Sequence, residues 1–514
     1  MAKNKTAAAG EKLNYGRTAL IGFGFMGCML LWSVYNSYVP VILRGKLNEI
    51  FAGGGAFATF IHDHTWLAWL TVPLIVNAIM TIDNVFGVIF QPFFGKKSDH
   101  THTKMGKRMP FILICLPICA LVFCFIPVAA LVRSIGLSIL LMMTVIICFN
   151  FTMSVWRSPV VSLMPDFTPS ALQSDANAVI NIMGGIGQMF GFIVGTIASA
   201  LCGLIGFNAM LNAATNEFGE VIDDAGAPIL DALGRTQHVN YIPVFVITAV
   251  ISVLCLVVLT IFYVKNKQHD LSAAYTIQKD EASGKEMKIK IKNLPISKEE
   301  KRSLLIMLAA LFLINNATEA IVPNFTNFAN STLHVPPIYS TLMMAVFAVS
   351  LAVFGVPAGI MGRKLGRKKT IIIGLAGIVV MFAIYLTISQ ILPAKADGSV
   401  NTFTWIALWV ALVVGGAAIG CVNINTLPLV LTIGGREFVG TFTGYYYTAT
   451  MSASITGPLL CGLVIGLFKE DYNFMFLFCA IFFALGLAVI TQVKHGETHE
   501  ISEEEIRQAR MADD

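Results

Sequence analysis

The chain is 514 residues long, 56% hydrophobic and only 13% charged, with a mean hydropathy of +0.74. Soluble domains carry about 25% charged residues, so this composition excludes an ordinary soluble fold and implies a polytopic membrane protein. Its 35 basic and 30 acidic residues leave a formal charge of +5, a balance too even to point to nucleic acid or an acidic substrate.

Residues 1–17 are polar and run into a long apolar segment with no small-residue cleavage pattern. They read as a tail ahead of a retained span, not as a signal peptide. A bilayer core needs about 20 helical residues, and apolar runs of that length recur at 18–43, 67–94, 110–132, 136–164, 176–205, 241–264, 303–329, 337–361, 370–392, 404–432, 438–468 and 473–492. The fold class expected is an all-α polytopic membrane protein with twelve transmembrane helices. The polar stretch 265–302 divides them into six-helix halves, 18–264 and 303–492, and 493–514 forms a second tail. Basic residues concentrate in the N-tail, the 95–108 loop, the linker and the 362–369 loop. By the positive-inside rule both tails and the linker are expected on the cytoplasmic side, with the plasma or inner membrane as the location. The ten cysteines all sit in apolar runs without a CxxC pair and read as packing residues.

Two loops echo each other. FGKKSDHTHTKMGKRMPFIL follows span two, and AGIMGRKLGRKKTIIIG follows span eight, its counterpart in the second half. Each has a glycine, then a turn with Gly-basic-basic, then a new apolar run. A basic loop that sets topology is the plainest reading. Metal binding by His100 and His102 needs more ligands than this loop offers. GxxxxGK followed by Ser or Thr occurs nowhere, which argues against ATP-driven transport by this chain alone, and no cofactor, metal or catalytic motif is expected.

Gly95, Asp99, Gly106, Lys107 and Arg108, echoed by Gly359, Gly366 and Arg367, resemble the loop 2/3 motif of the major facilitator superfamily, in which two six-helix halves enclose a solute site near mid-membrane. The resemblance implies a cytoplasmic gate latch. Arg363 stands where the first copy has Asp99, so the second latch is expected to be weaker. The extra residues before Gly106 and the Pro110-Phe111 after it look like the sucrose-transporter-like proton symporters. They are similar, more distantly, to the melibiose-type glycoside-pentoside-hexuronide:cation symporters. WRSPVVSLMPDFTPSALQSDANAVINIMGGIGQMFG and EFVGTFTGYYYTATMSASITGP extend the likeness.

Charged groups inside apolar runs cost about 2.5–3.5 kcal/mol on insertion scales and usually face a partner or a water-filled path. Asp83, Arg157, Asp166 and Glu319 are of this kind. Asp83, Gly87 and Gln91 lie four apart on one helical face. In melibiose-type relatives acidic cation ligands align with Gly87, Gln91 and Arg157, none of which is acidic here, so the resemblance favours a proton over sodium. Asp83, Glu319 and Asp166 are the proton-coupling candidates, although a structural hydrogen bond for Asp83, a packing cluster for Glu319 and a gating role for Asp166 stay open. Ser174 replaces a basic residue of the sucrose-type relatives, so their charge scheme does not carry over intact.

Trp32, Tyr35 and Asn36 share one face of span one and suit a sugar, with a ring for its apolar face and an amide for hydroxyls. Core packing explains them equally well. Asn315, Thr318 and Glu319 share a face of span seven, and Arg157, Asn177, Asn181 and Tyr446 complete the substrate candidates, with Asn423 and Asn425 weaker. The glycine ladder Gly187, Gly191, Gly195 reads as a close helix contact. The function expected is proton-coupled uptake of a glycoside, a disaccharide or oligosaccharide such as sucrose or an α-glucoside, by a monomer whose partners are the sugar, the proton and the lipid bilayer. Sodium-coupled sugar uptake, efflux of a small organic compound, and a non-transporting membrane sensor with a transporter fold are the alternatives.

Overall fold

In lipid every backbone N–H must find its acceptor within the segment, so apolar runs of this length form helices. The structure, a computed structural model, describes the chain except for residues 1–12, 53–68, 100, 102, 104, 169–172, 224–225, 232–234, 267–297, 392–400, 435–438 and 494–514. Much of both tails and the linker, with His62, His64, His100 and His102, thus lies outside the described residues. So do the side chains of Asp99 and Asn177.

The first half contains α1 (Tyr15–Ala52), α2 (Val72–Met80), α3 (Ile82–Asp99), α4 (Met109–Ala130), α5 (Ile135–Phe167), α6 (Gln173–Leu204) and α7 (Ile242–Asn266). The second contains α8 (Lys298–Leu333), α9 (Pro337–Lys364), α10 (Arg367–Ile391), α11 (Thr402–Gly434), α12 (Val439–Leu467) and α13 (Phe474–Ile490). Among the described residues, eleven spans are long and apolar enough to cross a membrane, α2 and α3 counting as one, and α13 is a shorter apolar helix of 17 residues. Together they make the twelve expected.

Two departures from the sequence reading have clear causes. Span two was expected to be unbroken, but it divides at Thr81, whose hydroxyl donates to the carbonyls of Asn77 (2.8 Å) and Ala78 (2.9 Å). Such back-bonding bends helices. Span one was expected to stop at residue 43, where charges begin, yet α1 runs on to Ala52. Arg44 lies over the Tyr472 ring at 5.0 Å, and Lys46 pairs with Glu49 at 2.9 Å, so the charges are absorbed without ending the helix.

The chain forms two compact units. One holds the described residues of Met1–Glu286 with Glu319–Ala348 and Ile455–Met475; the other holds those of Met287–Thr318, Val349–Ser454 and Phe476–Asp514. In the first unit α1 packs on α6 along the glycine ladder. A Cβ at Gly187 would run into the Met26 carbonyl, and one at Gly191 would sit 2.9 Å from the Leu30 carbonyl. Ser33 also donates to the Gln188 carbonyl across this contact (3.0 Å). Phe123 joins α4 to α5 and α7, with ring centroids 5.1 Å from Phe149 and 4.5 Å from Phe245. In the second unit Gly374 lets α10 approach the Ala418 carbonyl of α11, and Phe476 packs on Phe382 and Tyr385.

The described residues of 205–241 hold no helix. Short antiparallel bridges, Thr215 with Val221, Glu220 with His238, Ile222 with Pro228 and Leu230 with Thr236, fold them into a small cap. Asn48 at the end of α1 donates to the Glu217 carbonyl at 2.7 Å, and Asn330 at the end of α8 donates to Thr215 at 2.9 Å. One cap therefore ties two spans. Below it Tyr38 bonds Thr341 at 3.2 Å, and the buried amides of Asn77 and Asn324 bond each other reciprocally at 2.9 and 3.0 Å.

Candidate functional site

The embedded charges of the first unit converge. On α5, Asn150, Ser154 and Arg157 are spaced four and three apart and so share a face. Arg157 lies over Trp32 of α1, its guanidinium carbon 3.8 Å from the ring centroid, a close cation–π contact. Arg157 is also in electrostatic reach of Asp83 on α3 and Glu319 on α8, and Asp83 feels Glu319 as a like charge. One cation thus serves two carboxylates.

A narrow cleft opens beside this group, with about 10 Å³ of free volume, room for roughly one water. Trp32, Tyr35, Asp83, Gln91, Asn150 and Ser154 are among its walls. Tyr35 stacks on Phe149 at 5.1 Å and accepts a hydrogen bond from the Asn150 amide at 3.1 Å. Gln91 folds back over Gly87, where the missing side chain leaves space for it. Asp83 accepts the backbone N–H of Asn84 at 2.6 Å, a bond available because the residue opens the first turn of α3. Glu319 stands in the body of a 36-residue helix and is nonetheless exposed. Arg157 is its electrostatic neighbour, the kind of partner that an intramembrane carboxylate usually has.

Other expected residues are placed differently. Asn36 is half-buried on α1, and Asn181 is exposed on α6. Asn315 and Tyr446 belong to the second unit. Asn315 donates back to its own helix at the Leu311 carbonyl (2.9 Å), and Tyr446 lies 3.5 Å from Thr426. Asn150 and Ser154 were not anticipated, although their spacing ahead of Arg157 carried the signal. The Asn77–Asn324 pair was missed as well, because its partners are 247 residues apart.

Asp166 sits apart from the cleft. Its carboxylate pairs with Arg108 at 2.9 Å, with the two side chains only 13% and 9% exposed. Arg108 also donates to Ser98 and, at 3.4 Å, to the Gly95 carbonyl. Gly106 has φ of +79° and Gly366 +94°, so the two Gly-basic-basic turns share the left-handed conformation that glycine admits. In the second copy Arg367 donates to the Pro428 carbonyl at 3.1 Å, and Lys368 reaches the carbonyls of Thr491 and Val493 at 2.8 and 2.7 Å. Gly359 meets Ile424 at ordinary contact distance, whereas Gly362 leaves space for the buried Asn425. Lys107 is buried beside Arg108.

A family model described as Major Facilitator Superfamily matches residues 21–328 and 304–511. Similar solved structures include the nucleoside transporter NupG, 13% identical with a TM-score of 0.58 over 93% of this chain and 100% of that one. A D-xylose–proton symporter is 13% identical with a TM-score of 0.57, over 93% and 98% of the two chains. A bacterial homologue of the iron transporter ferroportin in an inward-facing state is 12% identical with a TM-score of 0.56, over 94% and 99%. At these identities the likeness is one of fold. No curated protein sequence matches the chain.

Proposed function

The chain belongs to the major facilitator superfamily, and from that premise we propose that it is a proton-coupled symporter taking up a glycoside by alternating access. The cargo proposed is a disaccharide or oligosaccharide such as sucrose or an α-glucoside. The observation that carries the reading is Arg157, stacked on Trp32 within electrostatic reach of both Asp83 and Glu319.

The chemistry follows from that sharing. With both carboxylates ionised, Arg157 is held by charge. A proton taken by either one weakens its hold and frees guanidinium N–H groups for sugar oxygens. Withdrawal of the guanidinium from Trp32 would bare a ring face for an apolar sugar face. Tyr35, Gln91 and Asn150 supply further polar atoms around the same cleft. Proton and sugar are thereby linked through one side chain. A proton needs a single carboxylate, whereas sodium wants several oxygen ligands. The D-xylose–proton symporter among the similar structures is a precedent for such coupling on this fold.

In the proposed orientation both tails and the basic turns face the cytoplasm of a plasma membrane, and the 205–241 cap faces outward. The turns at 95–108 and 359–368 act as cytoplasmic latches, Asp166 serving the first of them. Proteoliposomes given inward proton and sugar gradients should take up sugar with alkalinisation outside. Glu319→Gln or Asp83→Asn should abolish proton-driven accumulation, while sugar exchange persists in at least one of them. Full accumulation in both variants would refute the coupling assignment. Stimulation by sodium at fixed pH would refute proton coupling itself.

A further inference from the structure

A second cavity is far larger than the central cleft. It lies at the cap end of the first unit, has a volume of about 580 Å³, and is walled by one face of α1, the end of α4 and the cap. Small-molecule sites commonly span about 300–1,000 Å³. Val41, Ile42, Pro127, Leu131 and Val239 give it apolar patches, and Phe218 and Tyr241 bring aromatic rings. Its ionisable lining is evenly matched: Lys46, Arg133 and Arg235 face Glu49, Glu220 and Asp231, with His238 beside them.

Much of that charge is already spent within the wall. Lys46 donates to both oxygens of Glu49 at 2.9 and 3.0 Å, and Arg235 pairs with Asp231 at 2.6 Å. Glu220 accepts from Asn216 at 2.8 Å. With three groups of each sign, the lining carries no net charge with which to recognise a charged ligand. Yet paired carboxylates, ammonium and guanidinium groups keep lone pairs and N–H bonds to spare. Unspent hydrogen-bonding capacity, zero net charge and aromatic surface together select an uncharged ligand rich in hydroxyls.

The walls are also fixed in place. Backbone of the cap meets α1 closely enough that a Cβ at Gly45 would sit 2.9 Å from the Phe218 carbonyl, and Tyr241 packs on Tyr38 at 5.6 Å. The cap is held by Asn48 on one side and Asn330 on the other. Preformed walls reduce the ordering cost of binding.

We infer that this cleft is a second ligand site, distinct from the central one, that takes a neutral saccharide up to disaccharide size. The choice of saccharide rests in part on the proposed cargo, and the test separates the two. Purified full-length protein carrying Trp32→Ala and Glu319→Gln, which disable the central site, is titrated calorimetrically with sucrose, maltose and methyl α-glucoside, and with glycine as a zwitterion. At least one sugar should still bind saturably at about one per chain. Adding Arg133→Ala with Glu220→Gln should weaken that binding at least tenfold, and Thr236→Trp, at an exposed wall position, should block it by filling the space. Melting curves confirm that each variant is folded. Loss of all sugar binding in the central-site variant, indifference to the cleft changes, or binding of glycine in place of the sugars would each overturn the inference. Failure of transport in proteoliposomes would strike the proposed function and leave this binding result standing.

Discussion

The two Gly-basic-basic turns begin alike and end differently. Both place a glycine at positive φ, and both send an arginine toward the helix two spans on. In the first, Arg108 finds the nearly buried carboxylate of Asp166. In the second, Arg367 donates to the Pro428 carbonyl, and a tight contact is made by the neutral amide of Asn425 against Gly362. Among the described residues, the first turn is held by an ion pair and the second by a charged donor on a carbonyl and by close packing. Repeats therefore preserve backbone conformation more strictly than the side chains that secure it.

That contrast gives a ranked set of outcomes. Arg108→Ala should be the most damaging, because it removes the ion pair to the nearly buried carboxylate of Asp166. A loss of about 3–5 kcal/mol is expected, read as a lowered denaturation midpoint in detergent. Gly362→Ala should cost about 3 kcal/mol by displacing Asn425 from its bonds to the Ala358 and Cys421 carbonyls, whereas Gly359→Ala should be nearly silent. A reversal of that pair would break the packing account of the second turn. Arg367→Ala removes a charged donor from the Pro428 carbonyl, so about 2 kcal/mol is expected; equality with Arg108→Ala would erase the distinction. Smallest is the shared element. Gly106→Ala and Gly366→Ala should each cost about 1 kcal/mol for a left-handed residue, and matching melting shifts would sharpen the comparison.

The span count and the doubled turn were legible because hydropathy and Gly-basic-basic spacing are local signals. Extents were less so. Charges at Arg44 and Lys46 looked like the end of span one, and only a ring from residue 472 and an i,i+3 partner explain why the helix continues. Helix α8 likewise begins earlier than hydropathy suggested, at Lys298, with Glu299 and Glu300 in its first turn where the helix dipole favours acids. In and beside the central cleft, Trp32, Tyr35, Asp83, Arg157 and Glu319 were foreseeable singly as embedded polar or aromatic groups. Their convergence was not, since it depends on how α1, α3, α5 and α8 are placed side by side. The 205–241 cap left no trace in periodicity, because its bridges are isolated pairs too short to alternate.

Helix α1 carries Trp32, which bears Arg157, and sixteen residues later Asn48, which holds the cap. At 1.5 Å per residue those points are about 24 Å apart on one rod. The glycine ladder bolts that rod to α6, stiffening it against bending along the stretch that reaches Trp32 from below. A rod so braced behaves as a lever: torque applied where Asn48, Arg44 and Tyr38 grip the cap end arrives at the guanidinium with little lost to flexure. Bracing, and not any single contact, sets how faithfully displacement at the rim becomes displacement at the charge.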